Sequence, residues 1–261
     1  MKQHQARKRF GQNFLTDIAL IERIINSINP RAGDKLVEIG PGLGAITCPL
    51  LKQIVKLDVI ELDRDIVPKL RLNCGFNDNL VIHNCDVLKF DFNSLTDGDQ
   101  KLRIIGNLPY NISTPIIFHL VQYANIIKDM HFMLQKEVVQ RLAAKPGTKD
   151  YSRLSIMTQY HFRVTPLFLV PPEAFDPQPK VESAIVKLQP HAVKPVEVDD
   201  EQLLASVVSQ AFSQRRKTLR NVLKNLCTPD QIIAAGIDPA QRAEELNLQA
   251  FANLCKIIQN S

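Results

Sequence analysis

The stretch Gly106–Pro115, GNLPYNISTP, carries no charge, yet it crowds two asparagines, two prolines and a tyrosine behind the apolar run Leu102-Arg103-Ile104-Ile105. Amides at the end of a buried strand are useful where a weak nucleophile must be prepared. An exocyclic adenine amine is such a nucleophile, because its lone pair is delocalised into the ring. Two acceptors for its hydrogens, one an amide oxygen and one a backbone carbonyl, would localise that pair toward an incoming methyl carbon. Asn107 offers the first acceptor and Leu108 the second. Pro109 fixes the direction of the Leu108 carbonyl by restricting the residue before it. Tyr110 offers a ring to stack on a base turned out of its helix. Taken alone, Asn-x-Pro is as well explained as a strand-to-loop turn. Its position after three other strand ends favours the chemistry.

Those three strand ends form a series. Leu36–Thr47 reads LVEIGPGLGAIT, a strand, a Gly-x-Gly-x-Gly loop and a helix. Glycines there permit a tight turn and close approach of backbone to a ligand. The spacing of Gly40, Gly42 and Gly44 departs from the G-x-G-x-x-G of dinucleotide sites, which disfavours a nicotinamide cofactor. The next strand ends in Glu61, placed to accept from both hydroxyls of a ribose. Asp86 closes the strand after that. A glycine loop, a Glu and an Asp on successive strands suit a nucleoside without a pyrophosphate, and S-adenosylmethionine is of that kind.

The elements that must position these residues follow from periodicity. Short apolar runs at Lys35–Ile39, Leu57–Ile60, Leu80–His83, Leu102–Ile105 and His131–Leu134 alternate with helical patterns such as Ala45–Gln53 and Ile66–Leu72. That alternation predicts a doubly wound α/β domain, with ligands at the carboxyl ends of a mostly parallel sheet. Ile18, Ile21, Ile24, Ile25 and Ile28 predict a helix capped by Thr16 or Asp17, and further strands are expected near Arg163–Val170 and Ser183–Leu188. Gln189–Glu201 reads as a linker, and beyond it the pattern is helical. The expected division is therefore a catalytic domain over 1–190, with a basic tail over 1–10, and a helical RNA-binding domain over 191–261.

Composition bounds the class. With 261 residues, 45% of them hydrophobic, the chain can bury one sizeable core and carry a smaller appended domain. A net charge of +5 permits an anionic partner. The five cysteines form no CxxC pair and the six histidines no HxxxH, which predicts no metal site and a reduced, cytoplasmic protein. No apolar core follows the basic N-terminus, so no secretory signal is expected. The longest uncharged run, Ile104–Ile127, is too rich in Asn, Pro and Gly for a membrane helix.

Several longer segments carry a resemblance. GQNFL at 11–15, EIGPGLG at 38–44, GNLPYNISTP at 106–115, QKEVVQRL at 135–142, FDPQPKVESAIV at 175–186 and AFSQRRKTLRNVL at 211–223 resemble the bacterial 16S ribosomal RNA adenine dimethyltransferases, the KsgA family. The resemblance implies a Rossmann-like S-adenosylmethionine-dependent methyltransferase domain with a small C-terminal all-helical domain. It implies double methylation of N6 on two adjacent adenines in a hairpin near the 3′ end of small-subunit RNA, with S-adenosylhomocysteine as product. By the same resemblance Asn13 and Leu15 border the cofactor, Gly40 meets its methionine end, Glu61 holds the ribose and Asp86 the adenine amine. Asn107 faces both cofactor and target. Phe175, in the loop PPEAFDPQP, is expected to stack on the target base opposite Tyr110, the alternative being a core plug. Ser183 and His131 read as structural.

Cationic side chains supply the RNA contacts. No acid lies between Glu201 and Asp230, whereas Arg215, Arg216, Lys217, Arg220 and Lys224 do, with 216, 220 and 224 on one helical face. An unbalanced stripe of this kind reads as phosphate-binding. Arg7, Lys8 and Arg9 add a second patch. The expected partner is 16S rRNA in the small subunit or its precursor, and the chain is expected to act as a monomer. Three alternatives carry distinct signatures. A large-subunit methylase of the macrolide-resistance type shares QNFL and Asn-x-Pro-Tyr, but the AFSQRRKTLRNVL and QKEVVQRL runs resemble the small-subunit enzymes far more. A non-catalytic RNA-binding assembly factor would not need Asn107, Tyr110, Glu61 and Asp86 intact. A NAD-dependent dehydrogenase would need another glycine spacing.

Overall fold

The runs Lys35–Ile39, Leu57–Ile60 and Leu80–His83 are strands with those bounds in the computed structural model, which describes residues 13–96 and 99–260. In chain order the elements are β1 (Phe14–Leu15), α1 (Ile18–Ile28), β2 (Lys35–Ile39), α2 (Thr47–Leu50), β3 (Leu57–Ile60), α3 (Val67–Asn73), β4 (Leu80–His83), β5 (Leu102–Asn107), α4 (Ser113–Val121) and β6 (Ile127–Gln135). Then come α5 (Lys136–Leu142), α6 (Arg153–His161), β7 (Phe162–Val170), β8 (Phe175–Asp176), β9 (Ser183–Pro190) and the helices α7 (Glu201–Ala211), α8 (Leu219–Val222), α9 (Pro229–Ala234) and α10 (Leu248–Gln259). No helix among the described residues is long and apolar enough to cross a membrane.

The large sheet has the order β4-β3-β2-β5-β6-β9-β7. Strands β2 to β6 pair in parallel, and β9 runs antiparallel to β6. Strand order reverses between β2 and β5, and in open α/β sheets that switch point opens a crevice at the carboxyl ends. Strands buried on both faces explain why β2, β3 and β5 read as near-continuous apolar runs rather than alternating ones.

α1 follows from its sequence. Asp17 accepts from the Leu20 amide at 3.0 Å, capping the helix start. Asn29 ends it in the left-handed conformation with φ 50°, its N–H donating back to the Ile25 carbonyl, and Pro30 follows. The buried face (Ile24, Ile25, Ile28) packs with Leu36, Leu57 and Val59 from the sheet and Leu50 and Leu70 from α2 and α3. Each such side chain contributes about 1.5–3 kcal/mol on full burial.

Two features differ from the sequence expectation. The chain divides into one unit running to Val139 and taking up Thr165–Pro190, and a second of Gln140–Val164 with His191 onward. The helical unit thus takes in residues from before position 191. Contacts within that unit explain this: the Tyr160 hydroxyl donates to Glu201 Oε1 at 3.0 Å, and Lys194 lies over the Tyr160 ring at 4.2 Å. Secondly, residues 211–224 are not one helix. α7 ends at Ala211, a turn spans 212–218, and α8 is a single turn of helix. The turn lets the Leu219 amide donate to the Gln241 carbonyl at 2.8 Å and the Gln210 side chain to the Val222 carbonyl at 2.8 Å. Buried Leu219, Val222 and Leu223 hold that fold-back in place.

Candidate active site

Five chain segments converge on a cavity of about 650 Å³, within the range usual for small-molecule sites. The segments are the N-terminal arm at Asn13–Thr16, the glycine loop after β2, Glu61 after β3, Asp86 after β4 and the Asn107–Ile112 turn after β5. All belong to the first unit. Asn13, Leu15, Gly40, Glu61, Asp86, Asn107, Leu108, Pro109 and Tyr110, separated by almost a hundred positions, are brought together here.

Close approach of two backbones builds the centre. At Gly106 a Cβ would lie 2.5 Å from the Ile39 carbonyl oxygen, so only glycine lets β5 run this close to the end of β2. The next residue, Asn107, donates its side-chain Nδ2 to the Asn13 carbonyl at 3.3 Å. That bond orients the amide and turns its oxygen away from the arm. Leu108 is fixed by burial and by its N–H donating to the Met133 carbonyl at 3.2 Å. In the glycine loop, Gly42 has φ +55°, and a Cβ there would press within 3.3 Å of the Phe14 ring. Phe14 therefore covers the loop and lines the cavity, a residue that sequence reasoning missed although it sits inside the quoted GQNFL.

The electrostatics are one-sided. The described lining residues include the carboxyls of Glu38, Glu61 and Asp86 and no basic side chain. Burial holds the Glu38 carboxyl up to about 7, against a hydrogen bond from Thr47 Oγ1 at 2.7 Å and with the Glu61 charge adding to the rise. Burial also raises Glu61, opposed by the amides of Asp63 and Gly42. Glu61 Oε1 accepts from the Asp63 N–H at 2.8 Å, and Asn84 steadies the strand end by donating to the Glu61 carbonyl at 2.7 Å. Asp86 accepts from the Leu88 N–H at 3.0 Å, capping a short turn. Buried carboxyls without a cation favour a positively charged ligand and disfavour a phosphorylated one. No group of three or more His, Cys, Asp or Glu side chains able to hold a metal occurs among the described residues.

Three expectations need correction or restriction. Phe175 is 3% exposed, pairs with Leu15 across the β1–β8 ladder and belongs to the apolar core. Its ring packs in the core, which matches the alternative of a core plug. Cys48 and Cys74 form a disulfide, where the sequence reading took every cysteine as reduced. No CxxC spacing announces it, because α2 and the end of α3 meet only in the fold, behind Gly44. Arg7, Lys8 and Arg9 lie outside the described residues.

In the second unit Arg216, Lys217, Arg220 and Lys224 are exposed. Arg215 is engaged within the unit, Nε donating to Glu244 Oε2 at 3.0 Å and a terminal nitrogen to the Lys149 carbonyl.

Comparisons with known proteins give the family. A sequence model described as ribosomal RNA adenine dimethylase matches residues 3–260. The chain is 59% identical to a ribosomal RNA small subunit methyltransferase A of Pseudomonas fluorescens (strain Pf0-1), over 97% of this chain and 93% of that one. It is 54% identical to the protein so described from Saccharophagus degradans, over 97% and 95% of the two chains. Among solved structures it is similar to a dimethyladenosine transferase from Plasmodium falciparum, with a TM-score of 0.78, 27% identity, and 92% and 95% of the chains covered. A likeness in fold extends to the 23S rRNA methyltransferase ErmE, with a TM-score of 0.71, 24% identity, and 95% and 100% covered. On the full-length match and these identities, the chain belongs to the ribosomal RNA adenine dimethylase family.

Proposed function

We propose that the cavity at the β2/β5 switch point is where the protein methylates adenine N6, with Asn107 as the residue on which the reaction turns. The enzyme is an S-adenosylmethionine-dependent adenine dimethyltransferase acting on ribosomal RNA. Our finer reading is that its target is a pair of adjacent adenines near the 3′ end of small-subunit 16S RNA. The relatives described as small subunit methyltransferases support that choice over a large-subunit substrate. We further take the protein to work as a monomer in the cytoplasm, where ribosomal subunits are built.

The single observation that carries the site assignment is Asn107, its amide nitrogen tied to the Asn13 carbonyl at the rim of an acid-lined, base-free cavity. S-adenosylmethionine supplies an electrophilic methyl on a positively charged sulfur, and the carboxylates of the cavity, Glu61 and Asp86, give that charge a favourable field. Glu61 is placed for the ribose hydroxyls, Asp86 for the adenine amine, and Asn13, Leu15 and Gly40 for the remaining edges. The amide oxygen of Asn107 and the carbonyl of Leu108 would accept from the target amine and turn its lone pair toward the methyl that the bound cofactor supplies. A sulfonium donor yields a neutral thioether, so these residues would need no general acid beside them, and the amine proton would pass to solvent. Tyr110 offers its face to the target base.

The test is methyl transfer from labelled cofactor to isolated small and large subunits. The small subunit is expected to accept methyl groups and the large subunit not. Asn107→Ala should fold yet lose ~10²-fold or more in turnover, the usual loss when one preorganised polar group is removed. A folded Asn107→Ala protein with near-normal turnover would overturn the site assignment.

A further inference from the structure

The Tyr110 hydroxyl and Ser183 Oγ lie 2.9 Å apart across 73 positions of sequence. Ser183 is fully buried and is not part of the cavity wall, while Tyr110 is. Ser183 opens β9 and stands opposite Gln135, the last residue of β6. Just past that pair, the Lys136 N–H donates to the Glu182 carbonyl at 2.9 Å, and Lys136 Nζ meets Glu182 Oε2 at 2.6 Å. The serine therefore sits on a ladder end clamped by both backbone and side chains. At the other end of the tyrosine, buried Ser113 donates from its Oγ to the Tyr110 carbonyl at 3.4 Å. Tyr110 lies in a turn outside any strand, so nothing else of regular structure fixes its ring.

We infer that Ser183 is a positioning residue for methyl transfer, holding the Tyr110 ring by its hydroxyl so that a flipped adenine meets a preset stacking surface. The inference rests on the reading that Tyr110 stacks on the target base. A tyrosine tethered at its far end loses rotamer freedom before the base arrives, so stacking orders one partner instead of two. Core burial alone does not explain the pair, because a phenylalanine opposite an alanine would fill the space without two hydroxyls to satisfy.

A double-mutant cycle with the full-length chain decides. Ser183→Ala, Tyr110→Phe and the double variant are compared with wild type for methylation of the small subunit, with cofactor affinity, RNA affinity and thermal stability measured in parallel. Each single change should lower kcat by about three- to tenfold, as for one net neutral hydrogen bond, with cofactor affinity and RNA affinity unchanged. The double variant should be no slower than either single one, since both remove the same bond. Additive losses would overturn the inference, as would a Ser183→Ala protein that is less stable but turns over at the wild-type rate. Tyr110→Ala separates the two readings. If that variant keeps full activity, stacking itself is wrong, whereas if it is slow while Ser183→Ala and Tyr110→Phe are not, only the positioning role fails.

Discussion

At the residue scale the buried carboxyl of Glu38 carries the clearest consequence. It lies behind the glycine loop, accepts from Thr47 Oγ1 and is held up to about 7 by burial. The folded state thus keeps its proton more tightly than the unfolded chain, where the ordinary value is 4.5. Stability from this group is full below 4.5 and is lost as pH rises through about 7. Glu38→Gln removes the titration while keeping the shape, so the cofactor-free variant should lose less stability than wild type across that window. Denaturant unfolding at a series of pH values checks this, and parallel pH curves for the two proteins would contradict it. At this scale the sequence was legible where a cavity-lining residue sits at the end of a strand. Asn107, Glu61 and Asp86 all close apolar runs. Ser183 was not legible, because its partner lies 73 positions away and no local pattern links a serine to a distant tyrosine. Phe175 misled because an aromatic in a proline-rich loop looks available for stacking, whereas the β1–β8 pair folds it into the core.

At the scale of elements, Arg103 joins what the sheet alone would leave loose. It stands within the apolar run of β5, yet its guanidinium is buried. Nε and one terminal nitrogen donate to the Asp129 carboxylate on β6 at 2.9 and 3.2 Å. The two terminal nitrogens also reach Asp34 at 2.6 Å, the Asn29 carbonyl at 3.2 Å and the Ile28 carbonyl at 2.6 Å. One side chain thereby closes the carboxyl end of α1 and binds it to two strands. Burial pushes the Asp34 carboxyl up, but the hydrogen bonds and charge of Arg103 outweigh it and hold the group below the ordinary range. Arg103→Ala would strand two carboxylates in the interior, so stability should fall by about 3–5 kcal/mol, as when one partner of a buried pair is removed. A loss below about 1 kcal/mol in denaturant unfolding would mean that water replaces the guanidinium. The strands themselves were legible because parallel sheet buries both faces, and apolar runs mark it. Residues 211–224 were not. Their apolar positions fit a helical period, but the backbone hydrogen bonds of Leu219 and the burial of Leu219, Val222 and Leu223 in a fold-back outweigh propensity.

At the scale of the whole molecule, the acid-lined cavity belongs to one unit, and the exposed cations Arg216, Lys217, Arg220 and Lys224 belong to the other. Arg216, Lys217, Arg220 and Lys224 are exposed, and Arg215, exposed as well, turns its guanidinium to Glu244 and the Lys149 carbonyl. The pairing of Arg215 makes the other four the first candidates for phosphate contact in this segment. Each phosphate contact contributes roughly 0.7–0.9 to the log–log dependence of RNA affinity on salt, so replacing the four with Gln should flatten the slope by about 3. Arg215→Gln alone should leave the slope unchanged and lower stability instead. Cofactor affinity should hold in both variants, since Glu61, Asp86 and Asn107 are untouched. RNA binding across a salt series, thermal unfolding and calorimetry for the cofactor measure all three. A slope that stays at the wild-type value in the fourfold variant would make these side chains a solvated face and shift RNA capture to other cations of the chain.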